Sequence, residues 1–398
     1  MNTNSIDYTE DKSISITTKC IALYFALMPL DSIRIPGMGS LLKVIALFPI
    51  VSILILKRKS KLRLNKMVIW LMVYFCSILL SCFYSISFAD SFSGTRRILV
   101  NMILILCVGG IYDEYSKAEY VFLMKSLVFG GVANIVLTFL NPETADNYGR
   151  LTLSIAGSTQ DMNYINGYVL FALAFFVKKL IKDKHLIALF PIVGIFVFTL
   201  MTGSRGALLA LAAIVISSLL FVFFAEKNIR PTTVLITITA LVLVCVFYQD
   251  ILMLISPNVS RRYTLEYIQS YRGTNRTALW THIIEQYKNS SLFRQIFGYG
   301  TGTVYIVNTL TNQVAHNLWL DHLVGTGLIG LLIFLGMQIC FFKEAFKSRD
   351  VVLFSSYIGM LAMCMTLSLV SYKPIWNCMM MIMIASQIRN KDESVSEY

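Results

Sequence analysis

The run from Leu186 to Phe224, LIALFPIVGIFVFTLMTGSRGALLALAAIVISSLLFVFF, carries a single charge, Arg205. Its two apolar stretches, 186–202 and 206–224, each approach the roughly 20 residues that a helix needs to cross a bilayer core about 30 Å thick. Only the tight turn Thr202-Gly203-Ser204-Arg205-Gly206 lies between them. A bilayer admits only structures that satisfy their own backbone hydrogen bonds, helices or closed barrels. These runs are too long and too continuous for alternating barrel strands, so the stretch reads as a membrane helical hairpin with an arginine at its tip.

The rest of the 398 residues follows the same pattern. Hydrophobic residues make up 56% of the chain and charged ones 14%, against about 25% charged in a soluble domain; mean hydropathy is +0.68. Apolar spans are expected near 19–31, 40–56, 67–88, 98–112, 119–140, 163–177, 186–202, 206–224, 232–248, 319–342, 351–371 and 374–388. The expected fold is an all-α polytopic membrane protein of about 12 transmembrane helices, one membrane domain over 1–398. Under this count the basic clusters all fall on one side: Lys57-Arg58-Lys59 with Lys61, Arg63 and Lys66; Lys178-Lys179 with Lys182 and Lys184; Lys227 with Arg230; and Lys343, Lys347 and Arg349. The positive-inside tendency then puts both termini in the cytoplasm and the protein in the cytoplasmic membrane. The net charge of +12 is thus topology, and it is not read as nucleic-acid binding. Met1–Thr18 lacks the apolar core and cleavage site of a signal peptide. All eight cysteines lie in apolar stretches without a C-x-x-C pair, which points to neither zinc nor disulfides.

One long polar segment interrupts the helices. The loop 249–318, expected outside the cytoplasm between spans 9 and 10, ends in Ala315-His316-Asn317-Leu318. The same face receives the loops Asp31–Gly39, Ala89–Arg97 and Asn141–Asp161, and with them Arg34, Arg96, Arg97, Arg150, Arg205, Arg261, Arg262, Arg272, Arg276 and Arg294. Several of these stand at helix entrances, which suggests an anionic ligand. Arg205 opposes the dipole of the helix it opens; with free N–H groups and flanking glycines it makes a phosphate-type pocket. An arginine reaching for lipid headgroups would occupy the same place. Arg96 and Arg97 are expected at the start of the fourth span in similar geometry.

Within the loop, Leu279, Trp280, Ile283, Ile284 and Tyr287 recur at helical spacing in Ala278–Asn289. A short amphipathic helix is expected there, lying on the membrane with Trp280 at headgroup level and Arg276 at its N-terminus. The turn Phe297–Gly302 reads as a flexible connector. His316 and His322 stand at the outer entrance of the tenth span. No H-E-x-x-H or clustered ligand set accompanies them, so no metal site is expected. Alone, His316 is as readily a hydrogen-bonding residue at a helix end; the arginines make it a candidate base.

At this point a resemblance emerges. Met201–Leu211, MTGSRGALLAL, resembles the arginine motif of the bacterial O-antigen ligase and O-antigen/exopolysaccharide polymerase superfamily. So do Arg276 with Trp280, the Gly298–Gly302 turn, and His316-Asn317-Leu318-Trp319-Leu320 with Gly325, Gly327 and Gly330. Asp161-Met162-Asn163 is a weaker match, since the family often has Pro-Asn there. The region of resemblance runs over 150–342. It implies an integral-membrane glycosyltransferase that needs no metal or cofactor and acts on an undecaprenyl-diphosphate-linked glycan. Arg205 and Arg276 would bind the diphosphate and His316 would activate the acceptor hydroxyl. Arg96, Arg97, Asn163 and Asn317 are secondary candidates, with Asn317 or Asp321 orienting the imidazole or the sugar. The favoured activity is polymerisation of O-antigen, capsule or exopolysaccharide repeats, with membrane lipids and a chain-length regulator as further partners. A ligase acting on lipid A core, or a transferase acting on a protein hydroxyl, shares the chemistry. A transporter or flippase of the same lipid-linked sugars is the contrasting class; it would show related halves and intramembrane charges, whereas Lys125 can snorkel.

Overall fold

The computed structural model describes residues 13–37, 39–56, 61–144, 149–226, 239, 246–247, 250, 253–254, 257–264, 266, 276–368 and 371–396. Most of the expected ninth span at 232–248, Arg272 and most of the loop up to residue 275 lie outside them. Among the described residues, nine α-helices precede that part of the chain: α1 (Ile16–Ala26), α2 (Leu41–Ile45), α3 (Leu47–Leu56), α4 (Lys66–Ser81), α5 (Phe88–Leu106), α6 (Lys117–Leu140), α7 (Leu170–Ile181), α8 (Leu189–Met201) and α9 (Arg205–Phe221). After it come α10 (Pro257–Arg261), α11 (Arg276–Lys288), α12 (Leu292–Phe297), α13 (Val304–Val307), α14 (Leu318–Lys347), α15 (Val351–Cys364) and α16 (Lys373–Ser396).

Among the described residues, four helical stretches are long and apolar enough to cross a membrane: Phe88–Ile111, Lys117–Leu140, Arg205–Phe224 and Leu318–Lys347. Shorter apolar helices stand at Ile16–Ala26, Leu41–Leu56, Lys66–Ser81, Leu186–Met201 and Val351–Cys364. Their outer sides carry Leu54, Ile55, Phe190, Ile216, Leu220 and Leu332, each more than half exposed, a disposition suited to lipid rather than water. The architecture is an all-α membrane-type fold, with β structure among the described residues confined to connections. A two-stranded hairpin pairs β1 (Arg34–Ile35) with β2 (Gly39–Ser40). The segment expected as the loop Asn141–Asp161 holds an antiparallel meander of β3 (Pro142–Thr144), β4 (Leu151–Ile155) and β5 (Ser158–Thr159).

Local chemistry sets the helix ends. Ser116 and Glu119 form a reciprocal capping box at the start of α6. Glu119 also accepts from the Ser15 backbone at 3.0 Å and the Thr18 hydroxyl at 2.9 Å, which ties the start of α1 to it. Ser87 caps α5 and places Asp90 in its first turn, so the helix begins ten residues earlier than the expected span at 98. The predicted outer loop Ala89–Arg97 is therefore helical, and Arg96 and Arg97 sit in the third turn rather than at an N-terminus.

The largest contact in the bundle is that of α15 with α9. Small residues let the two backbones approach, as membrane helices require when lipid removes the hydrophobic incentive. Ala207 and Ala210 are fully buried, Ser218 donates to Ser355 at 2.8 Å, and a Cβ on Gly359 would lie 2.5 Å from Ile214 Cγ1. The tenth span departs from a simple helix. α14 is broken at Gly327 (φ 69°, ψ −172°), where a Cβ would meet the Ile296 carbonyl at 2.2 Å. The Tyr299 and Gly300 N–H groups donate to the freed Val324 and Gly325 carbonyls at 2.9 and 2.7 Å. The Phe297–Gly302 turn, expected as a flexible connector, is thus docked backbone to backbone on the break. Beyond Gly327, α14 runs about 30 Å at 1.5 Å per residue, one hydrocarbon thickness; the part before it belongs to the site.

Replacing Gly359 with Val should force α9 and α15 apart. The expected cost is about 1–3 kcal/mol of stability, read as a lower thermal unfolding midpoint in detergent. An unchanged midpoint would contradict the packing described.

Candidate functional site

The α8–α9 turn is built from its glycines outward. Asn166 donates to the Thr202 hydroxyl at 2.9 Å, and that hydroxyl donates to the Thr199 carbonyl at 2.7 Å, which anchors the end of α8. Gly203 turns the chain at φ 64°, and a Cβ there would lie 2.6 Å from Arg150 Cδ and 3.5 Å from Arg262 Nε. Gly206 is needed for closeness alone, since its Cβ would fall 2.0 Å from the Thr366 hydroxyl. Ser204 caps α9 by accepting from Ala207 N at 3.4 Å. Arg205 is accordingly the first residue of α9, half-buried. Its neighbours Arg150, just before β4, and Arg262, buried just after α10, come from two further segments.

His316 sits just before α14, also half-buried, with φ 51°. Left-handed backbone is sparsely populated by non-glycine residues, histidine being among the more tolerant, and its cost must be met by the surroundings. Both neighbours are pinned. Trp280 Nε1 donates to the Ala315 carbonyl at 2.8 Å, and Ala315 N donates to Asp321 at 3.1 Å. Asn317 caps α14, accepting from Trp319 N at 3.0 Å and Leu320 N at 3.1 Å, while its amide donates to the Met365 carbonyl at 3.2 Å. Asn317 and Asp321 thus act on the chain around His316, where an orienting contact with its ring or the sugar was expected.

α11 brings the third group. It begins at Arg276, and its apolar stripe is the expected one, but that stripe does not face lipid. Leu279 and Ile283 are buried with Val304, Val307, Ala315, Leu320 and Val324. Trp280, expected at headgroup level, is used to hold the His316 loop instead: a protein carbonyl satisfies the indole N–H that would otherwise seek the interface.

These parts share one electrostatic neighbourhood. The Arg276 guanidinium is held below its ordinary pKa, first by burial, then by Arg205 and Arg262 and also by Arg150, with Asp161 opposing them. Burial and then Arg276 hold the His316 imidazole below its ordinary value, again against Asp161. Arg150, Arg205 and Arg262 thus act on Arg276, and Arg276 in turn biases His316 toward its neutral form, with Asp161 acting on both. Such a field favours a multiply charged anion beside a group able to take a proton. Arg150 and Arg262 had no motif of their own to distinguish them from the other expected outer-face arginines; only the Gly203 turn selects them.

The remaining candidates fall elsewhere. Asn163 N donates to Asp161 at 2.7 Å in the turn before α7, which makes it part of the scaffold that presents Asp161. His322 is a core residue, bonded to Tyr74 at 2.9 Å and to the Leu318 carbonyl at 2.8 Å and stacked on Phe334. Arg96 and Arg97 line a separate cavity. Arg294 holds the Tyr84 and Gly298 carbonyls at 2.6 and 3.2 Å.

Residues 190–335 match the family model described as O-antigen ligase, a stretch within the 150–342 region of resemblance. No curated protein matches the chain.

In histidine-labelled protein, with His316→Asn used to assign the signal because Asn tolerates φ near 51°, the His316 ring should titrate below the ordinary value of about 6.5. Arg276→Gln should raise its pKa and Asp161→Asn should lower it further. Insensitivity to both changes would contradict the coupling.

Proposed function

We propose that this chain, whose residues 190–335 match the O-antigen ligase family model, is a membrane glycosyltransferase that polymerises undecaprenyl-diphosphate-linked oligosaccharide repeats. The observation that carries the reading is the shared neighbourhood of Arg205, Arg276 and His316, drawn from three separate segments. In this reading the chain has twelve spans with both termini cytoplasmic. The 249–318 loop lies on the outer face of the cytoplasmic membrane, and the reaction runs without a metal.

The chemistry follows from the residues. An acceptor sugar hydroxyl attacks the anomeric carbon of the donor, and the bond from that carbon to the diphosphate oxygen breaks. The electron pair leaves with undecaprenyl diphosphate, whose growing charge Arg205 and Arg276 meet. Each charge-assisted hydrogen bond contributes about 1.5–3 kcal/mol, roughly 10- to 150-fold in rate if formed mainly in the transition state. The hydroxyl proton passes to neutral His316, a contribution of about 10²–10⁴-fold. Burial and Arg276 hold the imidazole below its ordinary pKa, which extends the pH range in which the base is available to lower pH. Arg150 and Arg262 extend the cationic surface along the same phosphates. A chain-length regulator would act on the polymer from outside this site.

Ligation to lipid A core is the second reading, favoured by the description of the matched family; the donor half of the site is the same. Incubation of purified protein in EDTA with an undecaprenyl-diphosphate repeat as the sole substrate separates the two. Extension is the expected result, and transfer only after lipid A core is added would establish a ligase. Arg205→Gln and His316→Asn should each lower turnover by about 10²-fold or more with normal membrane insertion; full activity in both would refute the assigned roles. The rate should rise with pH along a limb below about 6.5, since activity needs the deprotonated ring, and Arg276→Gln should move that limb upward in whatever activity remains.

A further inference from the structure

A second cationic cavity, of about 600 Å³, lies outside the cluster just described. Its charged lining is Arg34, Lys43, Arg96, Arg97 and Lys373, with Asp31 the one carboxylate. Asp31 is already engaged, accepting from Lys373, Ser40 and Tyr168. That leaves Arg34, Lys43, Arg96 and Arg97 unneutralised by any other acid in the lining.

The cavity is built from helical and turn geometry. Ser93, Arg96, Arg97 and Val100 all line it, and positions three and four apart share one face of a helix. The early start of α5 is thus what points both arginines the same way. Arg34 comes from the β1–β2 hairpin, and Lys43 lies over Gly39, its Nζ 3.7 Å from where a Cβ would stand. Lys43 is within electrostatic reach of Lys373, Arg34 and Arg97. Asp90, outside the lining, accepts from Ser87 and Tyr305 and offsets part of the charge of Arg97.

Position gives the cavity a purpose. Tyr164 lines it while donating its N–H to Asp161 at 3.3 Å, and Asp161 acts on both Arg276 and His316. Arg97 and Ser371 are shared with a smaller cavity of about 120 Å³ that Asp321 also lines, and Asp321 holds the residue before His316. The volume suits a phosphate-bearing headgroup with a sugar attached, within the roughly 300–1,000 Å³ of ordinary ligand sites.

We propose that this cavity is a second anion site, taking the diphosphate headgroup of a second lipid-linked glycan, the acceptor, beside the donor held at Arg205 and Arg276. The assignment of acceptor and donor rests on the reading given under Proposed function; the existence of the second site does not. Arginine suits it, since a guanidinium binds phosphate oxygens in pairs without a metal.

Binding of fluorescent farnesyl diphosphate to the purified full-length protein tests the site without catalysis. The wild type should show two saturable sites, and inorganic pyrophosphate should compete at both. Arg96→Gln/Arg97→Gln should lose one site, and Arg205→Gln/Arg276→Gln the other. Arg34→Gln, on an exposed hairpin, should weaken the first of these by about tenfold and serves if the double variant does not fold. Two sites intact in both Arg96→Gln/Arg97→Gln and Arg34→Gln, or a single site in the wild type, overturn the proposal. Equal competition by phosphatidylglycerol bicelles also overturns it, since the cavity would then hold bulk anionic lipid. Loss of a site in Arg96→Gln/Arg97→Gln with none lost in Arg205→Gln/Arg276→Gln supports the second site and refutes the reading of the first. In chain extension, Arg96→Gln/Arg97→Gln should raise the acceptor KM about tenfold or more with the donor KM unchanged.

Discussion

Arginines of like charge do not gather in a half-buried place unless the fold holds them there. Two unit charges about 4 Å apart repel by about 4 kcal/mol at an effective dielectric of 20, and burial adds the cost of stripping water from each. Arg150, Arg205, Arg262 and Arg276 nonetheless share one neighbourhood, brought in by a β-meander, a helix start, a short helix and the first residue of α11. The turn at Gly203 brings two of them together with Arg205, because only an absent Cβ leaves room for the Arg150 side chain beside it. Much of the surrounding scaffold can be understood as keeping this arrangement in place: close packing of α9 on α15, the Thr366 contact under Gly206, and the cap at Ser204.

The second half of the site is held by a different principle. His316 occupies left-handed backbone, and its neighbours are tied to Trp280, Asp321 and Met365. The small core beneath α11 joins that helix to the opening turns of α14, so Arg276 at one end of α11 and the loop at His316 are packed onto the same core. The break at Gly327 allows this. It lets the first part of α14 belong to the site while the remainder packs on α4 in the bundle.

Some of this was readable in the amino-acid order. The arginine at the helix entrance, the amphipathic spacing of Leu279, Trp280, Ile283, Ile284 and Tyr287, and the helical spans are local patterns, and local patterns survive in one dimension. What the apolar stripe faces is not local: lipid and a protein core are equally apolar, and Trp280 was expected at the wrong one. Arg96 and Arg97 were expected at a span entrance because hydropathy begins at 98, whereas the Ser87 cap starts the helix in polar sequence. The Gly298–Gly302 turn read as a connector because nothing nearby in sequence reveals the carbonyls of α14 that it meets.

Legible in the amino-acid order were the membrane-type class, most of the apolar helices and the presence of residue types suited to an anion and a proton. These depend on composition, period and short spacing, which act over one or two turns of chain. Tertiary packing alone settles which arginines stand together, that Trp280 and Asp321 hold the loop of His316, and that Arg34, Arg96 and Arg97 line one cavity. Those relations are set by the close approach of segments far apart in the chain, through glycines and backbone carbonyls whose partners no local pattern names.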